Sequence, residues 1–182
     1  MHFELSSDSR VLIDLRAAGL LHLLAHDPTL AVRPEAMSFE VPGDTRDGAL
    51  VDASFVARFR VDAIEPPRDL GPNDREKMIA NMRGKEVLER ERFPGIEFDA
   101  RYVGSVTGGE LSGHLVIRDS RRPIAMAVRV APEGQRLLAR AAWEGRLTAL
   151  GIKPYEAFFG ALKLDDWVRL RLEARFDVTP GG

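Results

Sequence analysis

Apolar and polar residues alternate with period two along most of this chain, the mark of strands that bury one face. Ala49, Val51, Ala53, Phe55, Ala57, Phe59, Val61 and Ala63 share one parity, against Asp52, Ser54, Arg58, Arg60 and Asp62 on the other. Ile96, Phe98, Ala100 and Tyr102 alternate with Glu97, Asp99 and Arg101, and Leu111, Gly113, Leu115 and Ile117 with Glu110, Ser112 and His114. Ile124, Met126, Val128 and Val130 follow, and Pro132 predicts the end of that strand. Leu137, Ala139, Ala141, Trp143, Gly145 and Leu147 form the next set. Val168, Leu170, Leu172, Ala174 and Phe176 then alternate with Arg169, Arg171, Glu173, Arg175 and Asp177. Near the N-terminus Val11, Ile13, Leu15 and Ala17 make one segment and Met37, Phe39 and Val41 another. These make about eight strands, with a less regular segment at residues 29–33.

Turn signals at Thr107-Gly108-Gly109, residues 119–123 and Glu133-Gly134 are short, which predicts antiparallel pairing. Residues 73–90 interrupt the rhythm with helix formers and Met78, Met82, Val87 and Leu88 at roughly helical spacing. Pro72 precedes this helix, Asn73 or Asp74 is placed to cap it, and Gly84 weakens its far end by about 1 kcal/mol. A second irregular stretch, residues 149–166, carries Tyr155, Phe158 and Phe159.

One helix is too little cover for eight half-apolar strands, so the sheet must close on itself. The expectation is an all-β chain, one domain over residues 1–182, forming an eight-stranded antiparallel β-barrel with one inserted helix near residues 73–90. Many inward positions are small (Ala53, Ala57, Ala100, Gly113, Ala139, Ala141 and Gly145), which predicts a partly empty apolar interior. Its expected ligand-binding wall is Phe55, Phe59, Phe98, Tyr102, Leu115, Met126 and Trp143. Phe158 and Phe159 either plug one end or close over a ligand.

Charge adds exclusions. The 26 basic and 28 acidic residues nearly cancel, so nothing electrostatic draws the chain to nucleic acid or an anionic membrane. There is no cysteine for disulfides or thiolate chemistry. No stretch approaches the roughly 20 apolar residues of a spanning helix, and no basic region precedes an apolar run at the N-terminus. No membrane insertion and a cytoplasmic location are expected.

Candidate chemistry is sparse. His22 and His26 stand four apart beside Asp27 and are weak metal candidates; the alternative is that His26 and Asp27 bond a turn ahead of Pro28. Arg118, Arg121 and Arg122 form a basic cluster whose guanidinium forks suit a phosphate or carboxylate headgroup, set against a solvated hairpin tip. His114 has outward parity, no serine sits in a nucleophile elbow, and no catalytic residue or cofactor is expected.

The order of parts resembles the YceI-like family of lipocalin-like barrels. The resemblance rests on Gly-Leu-Leu-His-Leu-Leu-Ala-His-Asp at residues 19–27, Asp74-Arg75-Glu76-Lys77-Met78, and Phe93-Pro94-Gly95-Ile96-Glu97-Phe98. Residues 109–123 and 147–152 add to it. It implies sequestration or transport of an apolar chain (a polyisoprenoid, an isoprenoid quinone or a fatty-acid-like amphiphile) inside the barrel. A homodimer and relatives that are often periplasmic are implied as well. Two other classes remain open at this point. One is an enzyme acting on a lipid or metabolite with a metal at His22 and His26, which stoichiometric metal would reveal. The other is a packed-barrel interaction module, which takes up no ligand.

Overall fold

The computed structural model describes residues 2–18, 27–41, 49–157 and 162–179. Its strands are β1 (His2–Leu5), β2 (Arg10–Ala18), β3 (Thr29–Val32), β4 (Ala36–Glu40), β5 (Ala49–Arg60), β6 (Ile64–Glu65), β7 (Gly95–Ser105), β8 (Gly108–Ile117), β9 (Ser120–Glu133), β10 (Arg136–Gly145), β11 (Glu156–Ala157) and β12 (Leu162–Thr179). All are joined in one sheet, and every pairing is antiparallel.

Eleven of the twelve segments fall on eight lengths of chain, and β11 adds a short pair at the start of β12. β1 and β2 run as one strand along β12, interrupted at residues 6–9. β3 and β4 run as one strand along β5 and β6. Ala36 faces Arg58 and Val32 faces Ile64, so a step of four residues on one side matches six on the other. The 3-10 turn Val61–Ala63 absorbs the surplus. Because β2 also pairs β3, the path from β12 through β1/β2, β3/β4, β5/β6, β7, β8, β9 and β10 returns to β12 and closes the barrel. The pattern counted eight strands because a brief break does not change which face is buried.

Three local readings change. Ala49 and Val51 do not share the inward parity of Ala53. Leu50 and Ala53 are buried, and the register slips between them at Asp52, whose φ is 60°. This β-bulge turns Val51 and Asp52 outward together. Pro132 does not end its strand: β9 continues to Glu133, with Pro132 opposite Leu137. The helix α1 spans Pro72–Arg83, shorter than the pattern suggests, with Gly71 at its N-cap, Pro72 in its first turn and Gly84 extended at its C-cap. Proline suits that first position because its missing N–H has no intrahelical partner there. Met82 and, beyond the helix, Leu88 enter the core at one end of the barrel. This is the helix end, where the β8–β9 turn also lies; the turns joining β7 to β8 and β9 to β10 lie at the opposite, distal end.

Large and small inward residues meet across strands. Phe55 stands opposite Ala100, Phe98 opposite Ala57, and Tyr102 opposite Ala53. Ala100 in turn faces Gly113. The rings of Phe55 and Phe98 touch edge to face at 6.0 Å. At Gly145 the missing side chain is replaced by the Trp143 ring, which occupies the place a Cβ would take. The small wall positions are therefore mostly filled by their neighbours' rings. Outside the ring, β12 is tied to both flanks. Arg171 Nε and Nη2 donate to Asp14 at 2.6 and 2.7 Å, and Arg175 Nε donates to Glu133 at 2.8 Å. Buried Ser9, in the β1–β2 interruption, accepts the Arg175 backbone N–H at 3.0 Å through Oγ.

Two outcomes follow from this packing. A Cβ at Gly113 would overlap the Asp99 carbonyl and Ala100, so Gly113→Ala should force β7 and β8 apart and lower stability by roughly 1–3 kcal/mol in urea unfolding. Hydrogen bonds from Arg171 and then Thr29 hold the Asp14 carboxyl below its ordinary range. Its contribution is complete above the unfolded value of about 3.9 and disappears as pH falls through the lower folded value. Asp14→Asn should thus lose about 1 kcal/mol at neutral pH and converge with the parent in acid, as melting temperature against pH would show.

Candidate functional site

The inward faces of the strands converge at the distal end on a cavity of about 60 Å³. β4, β5 and β7 bring Phe39, Leu50, Phe55 and Tyr102 to it; β8 and β9 bring Leu111, Val128 and Val130; β10 and β12 bring Leu137, Ala139, Leu172, Ala174 and Phe176. Ser105 and Val106 complete the lining where β7 turns into β8. Phe39 bridges the ring, meeting Tyr102 at 5.8 Å and Phe176 at 5.7 Å, both edge to face. At this end β1 lies against β4, and no ladder joins the two among the described residues. The Phe39 contacts cover that seam from inside.

One polar side chain deep in the lining is already satisfied. The Tyr102 hydroxyl donates to the Ser105 carbonyl at 2.7 Å. Burial pushes the phenol upward, so it stays a neutral donor at physiological pH. Apart from Ser105, the remaining wall is aliphatic and aromatic. Such a surface attracts hydrocarbon and offers nothing to a metal, a nucleophile or a general base.

Of the residues expected to form the wall, Phe55 and Tyr102 line the cavity. Phe59, Phe98, Leu115 and Met126 are buried in the same core, nearer the helix end, and Trp143 is half-buried over Gly145. Phe158 and Phe159 lie outside the described residues, as do His22 and His26. Asp27 bonds the turn, accepting the Ala17 N–H at 2.9 Å. Among the described residues no cluster of histidine and carboxylate groups is placed to hold a metal. Arg118 donates to the Val87 carbonyl at 3.2 Å and to Glu89 at 3.4 Å, pinning the chain after α1 to the β8–β9 turn. Arg121 and Arg122 are exposed at that turn, at the opposite end of the barrel from the cavity. His114 is on the outer face, as its parity predicts.

The wall residues that sequence reasoning did not single out include Phe39, Leu50, Leu111, Val128, Leu172 and Phe176. Their inward parity was readable for all but Leu50, which the bulge reassigns. Their height along the barrel axis was not, because it depends on strand stagger. A second hollow, about 260 Å³, lies outside the barrel between the end of α1 and Lys153, Pro154, Tyr155 and Glu156. Tyr155 thus flanks the helix and is absent from the cavity wall.

Two solved structures share this architecture. BcnA of Burkholderia cenocepacia superposes with a TM-score of 0.65 at 13% identity, covering 94% of this chain and 99% of that one. A Campylobacter jejuni YceI protein, crystallised with large solvent channels, gives 0.58 at 8% identity over 81% and 84% of the two chains. At these identities the likeness is one of fold. Among curated proteins none matches the chain by sequence. A family model for the YceI-like domain matches residues 31–176, and the chain belongs to the YceI-like family.

Proposed function

We propose that this protein binds the apolar chain of an amphiphile inside the barrel and thereby sequesters or carries it. A polyisoprenoid, an isoprenoid quinone and a fatty-acid-like molecule all present such a chain. The observation that carries the reading is the cavity wall, where Tyr102 is satisfied by Ser105 and the surrounding side chains are apolar. Membership of the YceI-like family and the closed barrel are consistent with it.

Affinity in such a site comes from removing hydrocarbon from water, about 0.8 kcal/mol for each CH₂. The cavity, about 60 Å³, has room for only a few waters. A chain of many carbons therefore enters by displacing side chains, and the Phe39, Tyr102 and Phe176 rings are the groups placed to move. The headgroup then sits at the distal rim beside Ser105, because reaching Arg121 and Arg122 would require passing the packed Phe55 and Phe98 rings.

Native mass spectrometry of the purified protein, followed by organic extraction, tests the reading. A stoichiometric lipid supports it; a clean apo mass with no uptake of offered isoprenoids or fatty acids overturns it. Ala139 lines the cavity and is buried. Ala139→Val fills the void with two methyl groups, so ligand affinity should fall by about tenfold or more while the melting temperature holds or rises.

A further inference from the structure

Among the described residues three large aliphatic side chains are well exposed: Val51 at 57%, Val103 at 51% and Val106 at 37%. The register gathers all three at the distal end. The bulge turns Val51 and Asp52 outward opposite Val103, and Val106 occupies the two-residue turn between paired Ser105 and Gly108. Val106 also lines the cavity. Apolar side chains thus stand inside the barrel, at its rim and on the outer face of the same end. Among its described neighbours in the register the charges balance. Asp52 and Glu110 are matched by Arg101 and Arg129, all exposed, and Arg101 donates to the Asp52 carbonyl at 3.2 Å.

We propose that this rim docks on the surface of a zwitterionic lipid bilayer, so that an apolar chain passes between bilayer and barrel without crossing water. The inference rests on the ligand reading above for what passes, and on the valine patch for where. A rigid protein partner covering the patch would also seal the rim at Val106. A fluid apolar phase shields the valines and leaves that path open. The balanced charge gives no pull toward a strongly anionic surface and suits headgroups that carry both signs.

Flotation of the full chain with phosphatidylcholine vesicles at high salt tests this. The parent should rise with the vesicles, and the double variant Val51→Ser/Val103→Ser should partition about tenfold less. Neither residue lines the cavity, so uptake of a soluble short-chain fluorescent fatty acid in vesicle-free buffer should be unchanged by the double substitution. The proposal is overturned if the parent stays out of the vesicle fraction or if the variant floats equally well. A variant that floats normally but abolishes a concentration-dependent dimer would assign the patch to a second copy of this chain. A parent that floats yet takes up no fatty acid keeps the docking surface and removes the cavity reading.

Discussion

The barrel depends on β12 having a hydrogen-bonded neighbour on each side. Over Leu162–Thr179 it pairs β10 along one edge and the interrupted β1/β2 strand along the other. Were it removed, β2 and β10 would become open edges and the sheet would expose its apolar face. Its outward arginines reinforce the join. Arg171 reaches Asp14 on β2, Arg169 reaches Glu144 on β10, and Arg175 reaches Glu133 at the end of β9. Partly exposed pairs of this kind contribute little singly. The backbone ladder and the buried face carry the closure, and the ion pairs favour one register over its neighbours.

Closure then sets the interior. Every inward residue faces the same narrow space, so bulk on one strand must meet a gap on the next. Phe55 with Ala100, Phe98 with Ala57 and Trp143 over Gly145 satisfy that demand through the middle and toward the helix end. Leu147, Leu150 and Ile152 are buried at that same helix end, where the 3-10 turn Thr148–Leu150 packs against β9. At the distal end the rings of Phe39, Tyr102 and Phe176 meet edge to face beside the cavity that they line. The same end carries the bulge and the valine rim.

Period-two alternation by itself determined the strand type and which side chains of most strands face inward, and the short turns added the antiparallel pairing. Alternation did so because burial of one face is a local property repeated along each strand. Gly84 stands at the observed helix end, and the segments resembling YceI-like barrels from residue 74 onward fall within the family match over residues 31–176. What tertiary structure decided is height and phase. Nothing in the alternation of β5 announces that Asp52 adopts a positive φ, yet that residue exchanges Val51 for Leu50 at the cavity. Small residues suggested an empty interior; across-strand partners, chosen by register, filled most of it. Arg118, Arg121 and Arg122 share a turn whose basic chemistry suits a headgroup or a solvated tip, and stagger sets that turn at the opposite end of the barrel from the cavity. Parity is written residue by residue, whereas depth along the axis depends on how all the strands are sheared when the ring closes.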